Sequence, residues 1–186
     1  MTAKRPIVHI GDPMLRQKAR PLTPEEIGSH TIRELVADMA DTMHAEGGIG
    51  IAAPQVGASL RAVIVEIDAG STRYPDMRSF PLTVMLNPRL TVLDAEEQAY
   101  WEGCLSVPNL RGLVFRPRKV RVEYADIDGA QHAIVAEGFL ATVFQHELDH
   151  LDGILFIDKV RDTRRLATTE NYQRFWVEPS GRVVDI

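Results

Sequence analysis

The sequence predicts an α+β fold, with strands through the middle of the chain and a helix near each end of that block. Apolar residues recur at helical spacing between residues 29 and 46, strand-like segments occupy the region from 61 to 136, and a second helical pattern follows. This order differs from the regular alternation of strands and helices that builds a parallel sheet.

The first helix is predicted in the region before the glycine pair Gly47-Gly48, which ends it. Thr23-Pro24-Glu25-Glu26 has the pattern of a capping box with proline at the first helical position. The Ile27-Gly28 interruption leaves a second start open, nearer Ser29. The apolar positions of this helix are Ile32, Leu35, Val36, Met39 and Met43.

Five strand patterns fill the central block. Pro88 separates the second from the third, and Asp128-Gly129 predicts a tight turn between the last two. The strands are predicted at 61–67, 83–87, 90–93, 119–127 and 131–136. From about Asn171 onward the chain shows no clear period, so residues 171–186 are left unassigned.

Length and composition indicate one domain spanning residues 1–186. The chain is 45% hydrophobic and 25% charged, as is typical of a globular domain with its own apolar core. Its net charge of −5 speaks against nucleic-acid binding as the main activity. A late basic cluster is interpreted as a solvated face: Lys159, Arg161, Arg164 and Arg165.

The sequence also bears on the compartment. It contains no apolar stretch of about 18 residues, and its first residues, MTAKRPIVHIGDP, lack the apolar centre of a signal peptide. A single cysteine cannot form an internal disulfide, which suits a reducing compartment. We therefore expect a cytoplasmic protein without membrane association.

The second helix, predicted from about Glu137, carries HELDH at 146–150, which fits H-E-x-x-H. Residues four apart share one helical face, so His146 and His150 can reach one metal ion, with Glu147 beside them as a candidate general base. The alternative is a surface helix with two incidental histidines. However, the helix is strongly apolar, and charged groups in such a helix need a partner or an ion. Its apolar positions are Leu140, Val143, Phe144, Leu148 and Leu151.

A catalytic metal site usually has three protein ligands and one open position. No histidine follows His150, and Asp152 has a poor helical phase for sharing a metal with His146. Cys104, the only cysteine, is the better candidate upstream. The alternative is that a lone cysteine is a small buried apolar residue.

The segment GIGIAAPQ at 48–55 combines small residues with one amide side chain, Gln55. Small residues allow a backbone to approach a ligand closely. The segment lacks the G-K-[ST] ending of a phosphate-binding loop. Part of a substrate site and a packed connection between helix and strand are equally good interpretations.

Together, the three segments resemble peptide deformylases. That family is known by G-x-G-x-A-A-x-Q, E-G-C-L-S and H-E-x-D-H, and this chain has GIGIAAPQ, EGCLS at 102–106 and HELDH in the same order. The resemblance extends over roughly residues 6–160. It implies antiparallel or mixed β-sheets surrounding a central metal-binding helix, with an N-terminal helix.

The resemblance implies a role for each matching residue at the metal. Cys104, His146 and His150 match the three metal ligands. Glu147 matches the residue that acts as general acid and base, with a metal-bound water as the nucleophile.

Other matching residues concern the substrate. Gln55 and the backbone N–H of Leu105 match the two donors to the oxyanion. Gly50 matches a glycine whose backbone contacts the substrate. Glu102 and Arg111 match a supporting polar pair.

The implied reaction removes the N-formyl group from the N-terminal formylmethionine of newly synthesised proteins and releases formate. An apolar pocket for the methionine has five candidate residues, for which ordinary core packing is the equal alternative: Ile49, Tyr100, Phe139, Thr142 and Val143. Tyr100-Trp101 precede EGCLS where the family often has smaller or acidic residues, and they could reshape the pocket mouth.

The implied cofactor is one divalent metal ion per chain, natively Fe(II), with Zn, Ni or Co as substitutes. The expected partners are N-formylated nascent peptides, with a ribosome contact as a further expectation. Neither a membrane nor a specific nucleic-acid sequence is expected to bind.

Two other functions stay open on the sequence. A metallopeptidase that cuts internal bonds is disfavoured because Cys104 takes the place of a downstream ligand. A catalytically silent relative that only binds formylated N-termini or the ribosome is disfavoured by the intact Cys104, Glu147 and Gln55.

Overall fold

The computed structural model describes residues 4–68 and 79–177. The end of the unassigned segment, residues 178–186, and residues 1–3 of the N-terminus lie outside the described residues. The described helices are α1 (His30–Ala45), α2 (Phe139–Leu151) and α3 (Thr169–Phe175). None of them combines the length and the apolar character needed to cross a membrane. The described strands are β1 (Gly50–Ala52), β2 (Ala62–Ile67), β3 (Phe80–Cys104), β4 (Val107–Ala125), β5 (Gln131–Glu137) and β6 (Leu166–Thr168).

The strands form one antiparallel sheet in the order β1-β2-β3-β4-β5, with β6 paired to β4. This confirms the predicted α+β class. β3 and β4 make a long hairpin that closes at Leu105-Ser106, with Cys104 opposite Val107. The hairpin end therefore carries the whole EGCLS segment.

Pro88 does not end a strand, contrary to the prediction. β3 runs through Pro88 with a register shift between Leu86 and Arg89, and Asn87 adopts a φ of 49° there. Proline lacks an N–H donor, so it is tolerated where the ladder is already irregular. β3 also continues to Cys104, and β4 begins at Val107 rather than near residue 119. Main-chain pairing holds this part of the hairpin, where the side chains show no regular alternation in the sequence.

The later of the two predicted starts of α1 is correct. Ser29 is the N-cap, and its Oγ accepts a hydrogen bond from the Ile32 N–H at 3.4 Å. The earlier segment does form reciprocal capping bonds, from Thr23 N–H to Glu26 Oε2 at 2.8 Å and from Glu26 N–H to Thr23 Oγ1 at 3.3 Å. However, Gly28 at φ 77° turns the chain before a helix can continue.

α2 begins at Phe139 because Gly138, at φ 66°, separates it from β5. The short helix α3 lies in the tail that showed no clear period. Its N-cap is Thr168, whose Oγ1 accepts from the Asn171 N–H at 3.2 Å.

β2 lies between two helices. Val63 and Val65 belong to the core cluster around α2, whereas Ile64 belongs to the cluster around α1. Alternate residues of a strand point to opposite faces, so a run that is apolar at every position is buried on both. α2 is thereby enclosed in the core, and His146, Glu147 and His150 of HELDH are buried with it.

Candidate functional site

Three donor groups from two elements meet at one point. Cys104 lies at the end of β3, and His146 and His150 lie on one face of α2, with their ligand atoms within 4.8 Å of one another. Cys104 Sγ is 3.2 Å from His150 Nε2, and the two imidazole centroids are 5.3 Å apart. The i, i+4 spacing on a helix accounts for the second distance.

This donor set fits a divalent transition metal. Thiolate and imidazole bind such ions at about 2.3 Å and about 2.0 Å, so a tetrahedral site holds a sulfur and a nitrogen about 3.5 Å apart. The distance of 3.2 Å between Cys104 Sγ and His150 Nε2 is close to this value. Burial lowers the pKa of His150, which keeps the imidazole in the neutral form that ligates metals. Three protein ligands leave a fourth position open, and the set accepts iron, zinc, nickel or cobalt.

The Glu102 carboxylate orients His146. His146 Nδ1 lies 2.8 Å from Glu102 Oε2, which favours the Nδ1–H tautomer and leaves Nε2 for a metal. Burial alone would raise the pKa of Glu102, but the hydrogen bonds from His146 and Arg116 outweigh it and hold this pKa below its ordinary value.

Arg116 ties this carboxylate to the metal-binding helix. Its Nε and Nη2 donate to Glu102 at 2.6 Å and 3.0 Å, and its Nη1 donates to Asp149 Oδ2 at 2.7 Å. The Arg116 side chain is only 4% exposed. One buried guanidinium therefore links the β3–β4 hairpin to α2.

Glu102 forms a buried ion pair with Arg116, whereas the family resemblance implied Arg111 as its polar partner. Glu102 lies opposite Gly112 in β4, so residue 116 shares its face of the sheet and Arg111 points to the other face. Arg111 lines the cleft described below and lies across Gly103, where an added Cβ would overlap its guanidinium.

Glu147 is buried beside the three donors. Its Oε2 has no hydrogen-bond partner among the described residues. A Cβ added at Gly50 would lie 2.5 Å from Glu147 Oε1, so the glycine leaves the space that the carboxyl occupies. Burial raises the pKa of Glu147 to about 7. Such a pKa suits a group that takes up and returns a proton near neutral pH.

The amide of Gln55 is held in one orientation. Its Oε1 accepts from the Ala52 N–H at 2.8 Å, and its Nε2 donates to Ser106 Oγ at 3.2 Å and lies 3.5 Å from Cys104 Sγ. The NH₂ group therefore points toward the cysteine. Leu105 follows Cys104 directly, in the turn of the hairpin.

A cleft of about 570 Å³ opens onto these groups. Most of the residues proposed from the sequence line it: Ile49, Gly50, Gln55, Glu102, Cys104, Leu105, Arg111, Phe139, Thr142, Val143, His146 and Glu147. His150 is 1% exposed and lies deeper, against Cys104. Tyr100, also proposed from the sequence, does not line the cleft, and its ring packs edge-on against Phe139 with centroids 5.3 Å apart.

Two sets of hydrogen bonds that support the site could not be predicted from the sequence. Gln98 donates to Thr142 Oγ1 at 3.2 Å and so fixes a hydroxyl of the cleft wall. The N-terminal arm acts through its backbone, because Val8 N–H donates to the Gln55 carbonyl at 2.8 Å and Ile10 N–H donates to the Ser106 carbonyl at 2.7 Å.

The late basic cluster is largely neutralised, in keeping with a solvated face. Each member has an acidic or aromatic neighbour: Lys159 with Asp149, Arg161 with Glu97, Arg164 with Asp162, and Arg165 with the Trp176 ring.

The fold and the site are those expected of an H-E-x-x-H metallohydrolase, with Cys104 as the candidate third donor. Comparison with known proteins identifies the family within this class. The sequence model of the family described as polypeptide deformylase matches residues 4–166. The chain is 37% identical to peptide deformylase of Leptospira biflexa serovar Patoc over 183 residues, which cover 98% of this chain and 99% of that protein. It is 45% identical to peptide deformylase 1 of Nitrosomonas europaea over 168 residues, 89% of this chain and 93% of that protein.

Solved structures agree with the sequence matches. A Met-Ala-Ser-bound crystal structure of class I type b peptide deformylase from Acinetobacter baumannii has a TM-score of 0.83 and 39% identity, covering 86% of this chain and 100% of that chain. Peptide deformylase from Ehrlichia chaffeensis has a TM-score of 0.76 and 32% identity, covering 88% and 91%. The chain belongs to the polypeptide deformylase family, whose enzymes remove the N-formyl group from nascent peptides.

Proposed function

We propose that this chain deformylates N-formylmethionyl peptides in the cleft between α2 and the β3–β4 hairpin, with one metal ion held by Cys104, His146 and His150. One observation carries the proposal. The Glu147 carboxyl is buried beside the three donors, and its Oε2 lacks a partner among the described residues. A buried polar atom without a partner costs free energy, so its presence at a cleft points to a role in binding or catalysis.

The cleft offers a pocket for the methionine side chain. Ile49, Phe139 and Val143 provide apolar surface, and the Thr142 hydroxyl is occupied by Gln98. The deformylase of Acinetobacter baumannii has been crystallised with Met-Ala-Ser, a peptide that begins with the free methionine left by deformylation. We infer that the first methionine of such a peptide binds in the same part of this cleft.

When bound, a divalent metal ion supplies Lewis-acid activation of water and of the formyl carbonyl. The side chain of Gln55 and the backbone N–H of Leu105 donate hydrogen bonds to the formyl oxygen as it gains negative charge. Both donors are fixed before the substrate arrives, Gln55 by its bonds to Ala52 and Ser106 and Leu105 by the hairpin turn. Fixed donors need no reorganisation during the reaction, which makes them effective.

Glu147 moves the proton. It takes one proton from the attacking water and delivers it to the amine nitrogen as the bond between the formyl carbon and this nitrogen breaks. The products are formate and a peptide with a free N-terminus. Burial raises the pKa of Glu147 and a divalent cation beside it would lower this pKa, so the two effects oppose each other and favour a group that can accept and return a proton.

The proposed native metal is Fe(II), with Zn, Ni or Co as substitutes. The donor set supports a divalent transition metal and does not discriminate among these. A thiolate ligand beside ferrous iron also makes the site sensitive to oxidation. Metal analysis after purification without oxygen tests this assignment. A contact with the ribosome stays a prediction.

The proposed function is tested with formyl-Met-Ala-Ser and Met-Ala-Ser as substrates for protein purified without oxygen. We expect formate from the first peptide and no cleavage of the second. Cleavage of a peptide bond in Met-Ala-Ser without formate release from the formylated peptide would instead show a metallopeptidase. Saturable binding of formyl-Met-Ala-Ser without turnover would show a silent relative.

A further inference from the structure

Trp101 connects the cleft to the C-terminal helix α3. Its side chain lines the cleft, and its ring packs against Tyr172 and Trp176 with centroids 5.1 Å and 4.8 Å apart. The Arg165 guanidinium lies over the Trp176 ring, 5.1 Å from the ring centroid. Thr169, the first residue of α3, lines the cleft as well. These contacts involve residues outside the three motifs, and α3 begins after residue 166, where the family match ends.

Neighbouring residues of β3 point to opposite faces of the strand. Tyr100 and Glu102 point toward α2, where they contact Phe139 and His146. Alternation along the strand therefore directs Trp101 to the opposite face, toward α3. Trp101 precedes Cys104 by three residues, a separation of about 10 Å along a strand. That is the span of the first few residues of an extended peptide whose formyl group lies at the three donors.

An extended substrate alternates in the same way. If the methionine side chain of the substrate points toward α2, the side chain of its second residue points to the opposite face. The half-buried indole of Trp101 lies on the face of β3 that points away from α2, and two aromatic neighbours hold it in place before a substrate arrives. A rigid apolar surface favours large apolar side chains, because little order is lost when they bind.

We propose that Trp101, supported by Tyr172 and Trp176, forms a subsite for the side chain of the second residue of the formylated peptide and favours a large apolar side chain over glycine. The inference rests on the proposed binding of formylmethionyl peptides in this cleft. Trp101 is the specificity-determining residue, and Trp176 positions it from outside the reacting region.

The first test compares kcat/KM for formyl-Met-Leu-Ser and formyl-Met-Gly-Ser. We expect the wild-type chain to prefer the leucine peptide about tenfold, mainly through KM. Trp101→Ala should reduce this preference to within about twofold and leave the glycine peptide nearly unaffected, and Trp101→Phe should restore part of it. Trp176→Ala should give an intermediate preference. The control is Phe175→Ala, whose side chain lies on the same helix, is 54% exposed and packs against Arg174.

The second test measures binding without turnover. The chain has two tryptophans, so Trp176→Phe leaves Trp101 as the only indole. Addition of Met-Leu-Ser should shift the emission of Trp101 more than addition of Met-Gly-Ser at the same concentration. This readout requires folded protein but no activity.

An unchanged preference in Trp101→Ala, or an equal loss on both peptides, would overturn the inference, as would an indole emission that neither peptide shifts. If Trp101→Ala does not fold, Trp101→Phe and Trp176→Ala decide the question. Absence of formate from both peptides with the wild-type chain would contradict the proposed function instead, and the emission of Trp101 would then still report whether the subsite binds Met-Leu-Ser.

Discussion

The carboxyl group of Glu147 packs against the backbone of Gly50, so closely that a Cβ added at Gly50 would lie 2.5 Å from Glu147 Oε1. Gly50 opens β1 and pairs with Val65, which fixes its backbone in the sheet. Because Gly50 has no Cβ, the GIGIAAPQ segment leaves room for the Glu147 carboxyl of HELDH.

Substitution at Gly50 is expected to displace the carboxyl without disturbing the metal ligands. Gly50→Ala should lower kcat by about 10²-fold, since a misplacement of about 1 Å can have that effect. Metal content should stay at the wild-type value. Gly48→Ala is the matched control, because its added Cβ would meet the side-chain end of Leu105 at 3.1 Å and not the Glu147 carboxyl. Equal kcat values for the two variants would contradict the proposed fit.

Loss of Arg116 should destabilise the fold and loosen the metal site together. Arg116→Met leaves the buried Glu102 carboxylate without its guanidinium and leaves Asp149 with Lys159 alone, which should lower the free energy of unfolding by about 3–5 kcal/mol. Metal affinity should fall by about 10–100-fold, because Glu102 orients His146. Urea unfolding and competition with a chelator measure the two effects. Arg161→Met, at an exposed ion pair, should change both quantities far less. A similar response of the two variants would refute the role of the buried network.

Gln55 is expected to act on the transition state rather than on substrate affinity. Gln55→Ala should lower kcat by about 10²–10³-fold with little change in KM, as removal of one oxyanion donor does. Steady-state kinetics with formyl-Met-Ala-Ser provides the measurement, and Gln131→Ala, at an exposed position, provides the control. A rise in KM with unchanged kcat would assign Gln55 to binding alone.

Metal removal should lower the thermal stability of the wild-type chain. A ligand present at about 100 times its Kd stabilises a protein by about 2.7 kcal/mol, which corresponds to about 5–10 °C in Tm for a chain of this size. A chelator should therefore lower the Tm of the wild type by that amount, and it should have little effect on Cys104→Ser or His150→Ala. His132→Ala, at a half-exposed histidine that pairs with Asp126, should respond as the wild type does. The ligand set would be wrong if Cys104→Ser kept the full response.

The two histidines could be placed from the sequence because HELDH lies within one helix, α2. His146 and His150 share a face wherever a helix forms, and the hairpin brings Cys104 to them. The spacing of HELDH left the third metal ligand open, and the match of all three motifs to one family indicated Cys104. The partner of Glu102 could not be found in this way, because its choice depends on the register between β3 and β4, which places residue 116 and not Arg111 on the same face.

Other differences have similar causes. The strand through Pro88 depends on main-chain pairing across a bulge, which leaves no side-chain period to detect. Tyr100 alternates with Trp101 along β3, so one supports Phe139 from behind while the other lines the cleft. The sequence does not show which of the two aromatic side chains faces the cleft, because that depends on how β3 is oriented in the sheet.

The role of Glu147 in proton transfer is tested most directly by the rate of formate release per bound metal ion, compared between the wild-type chain and Glu147→Gln. We expect Glu147→Gln to bind one metal ion per chain, as the wild type does, and to release formate from formyl-Met-Ala-Ser about 10²–10⁴ times more slowly. Formate release by Glu147→Gln at the wild-type rate, with the metal content unchanged, would contradict this role.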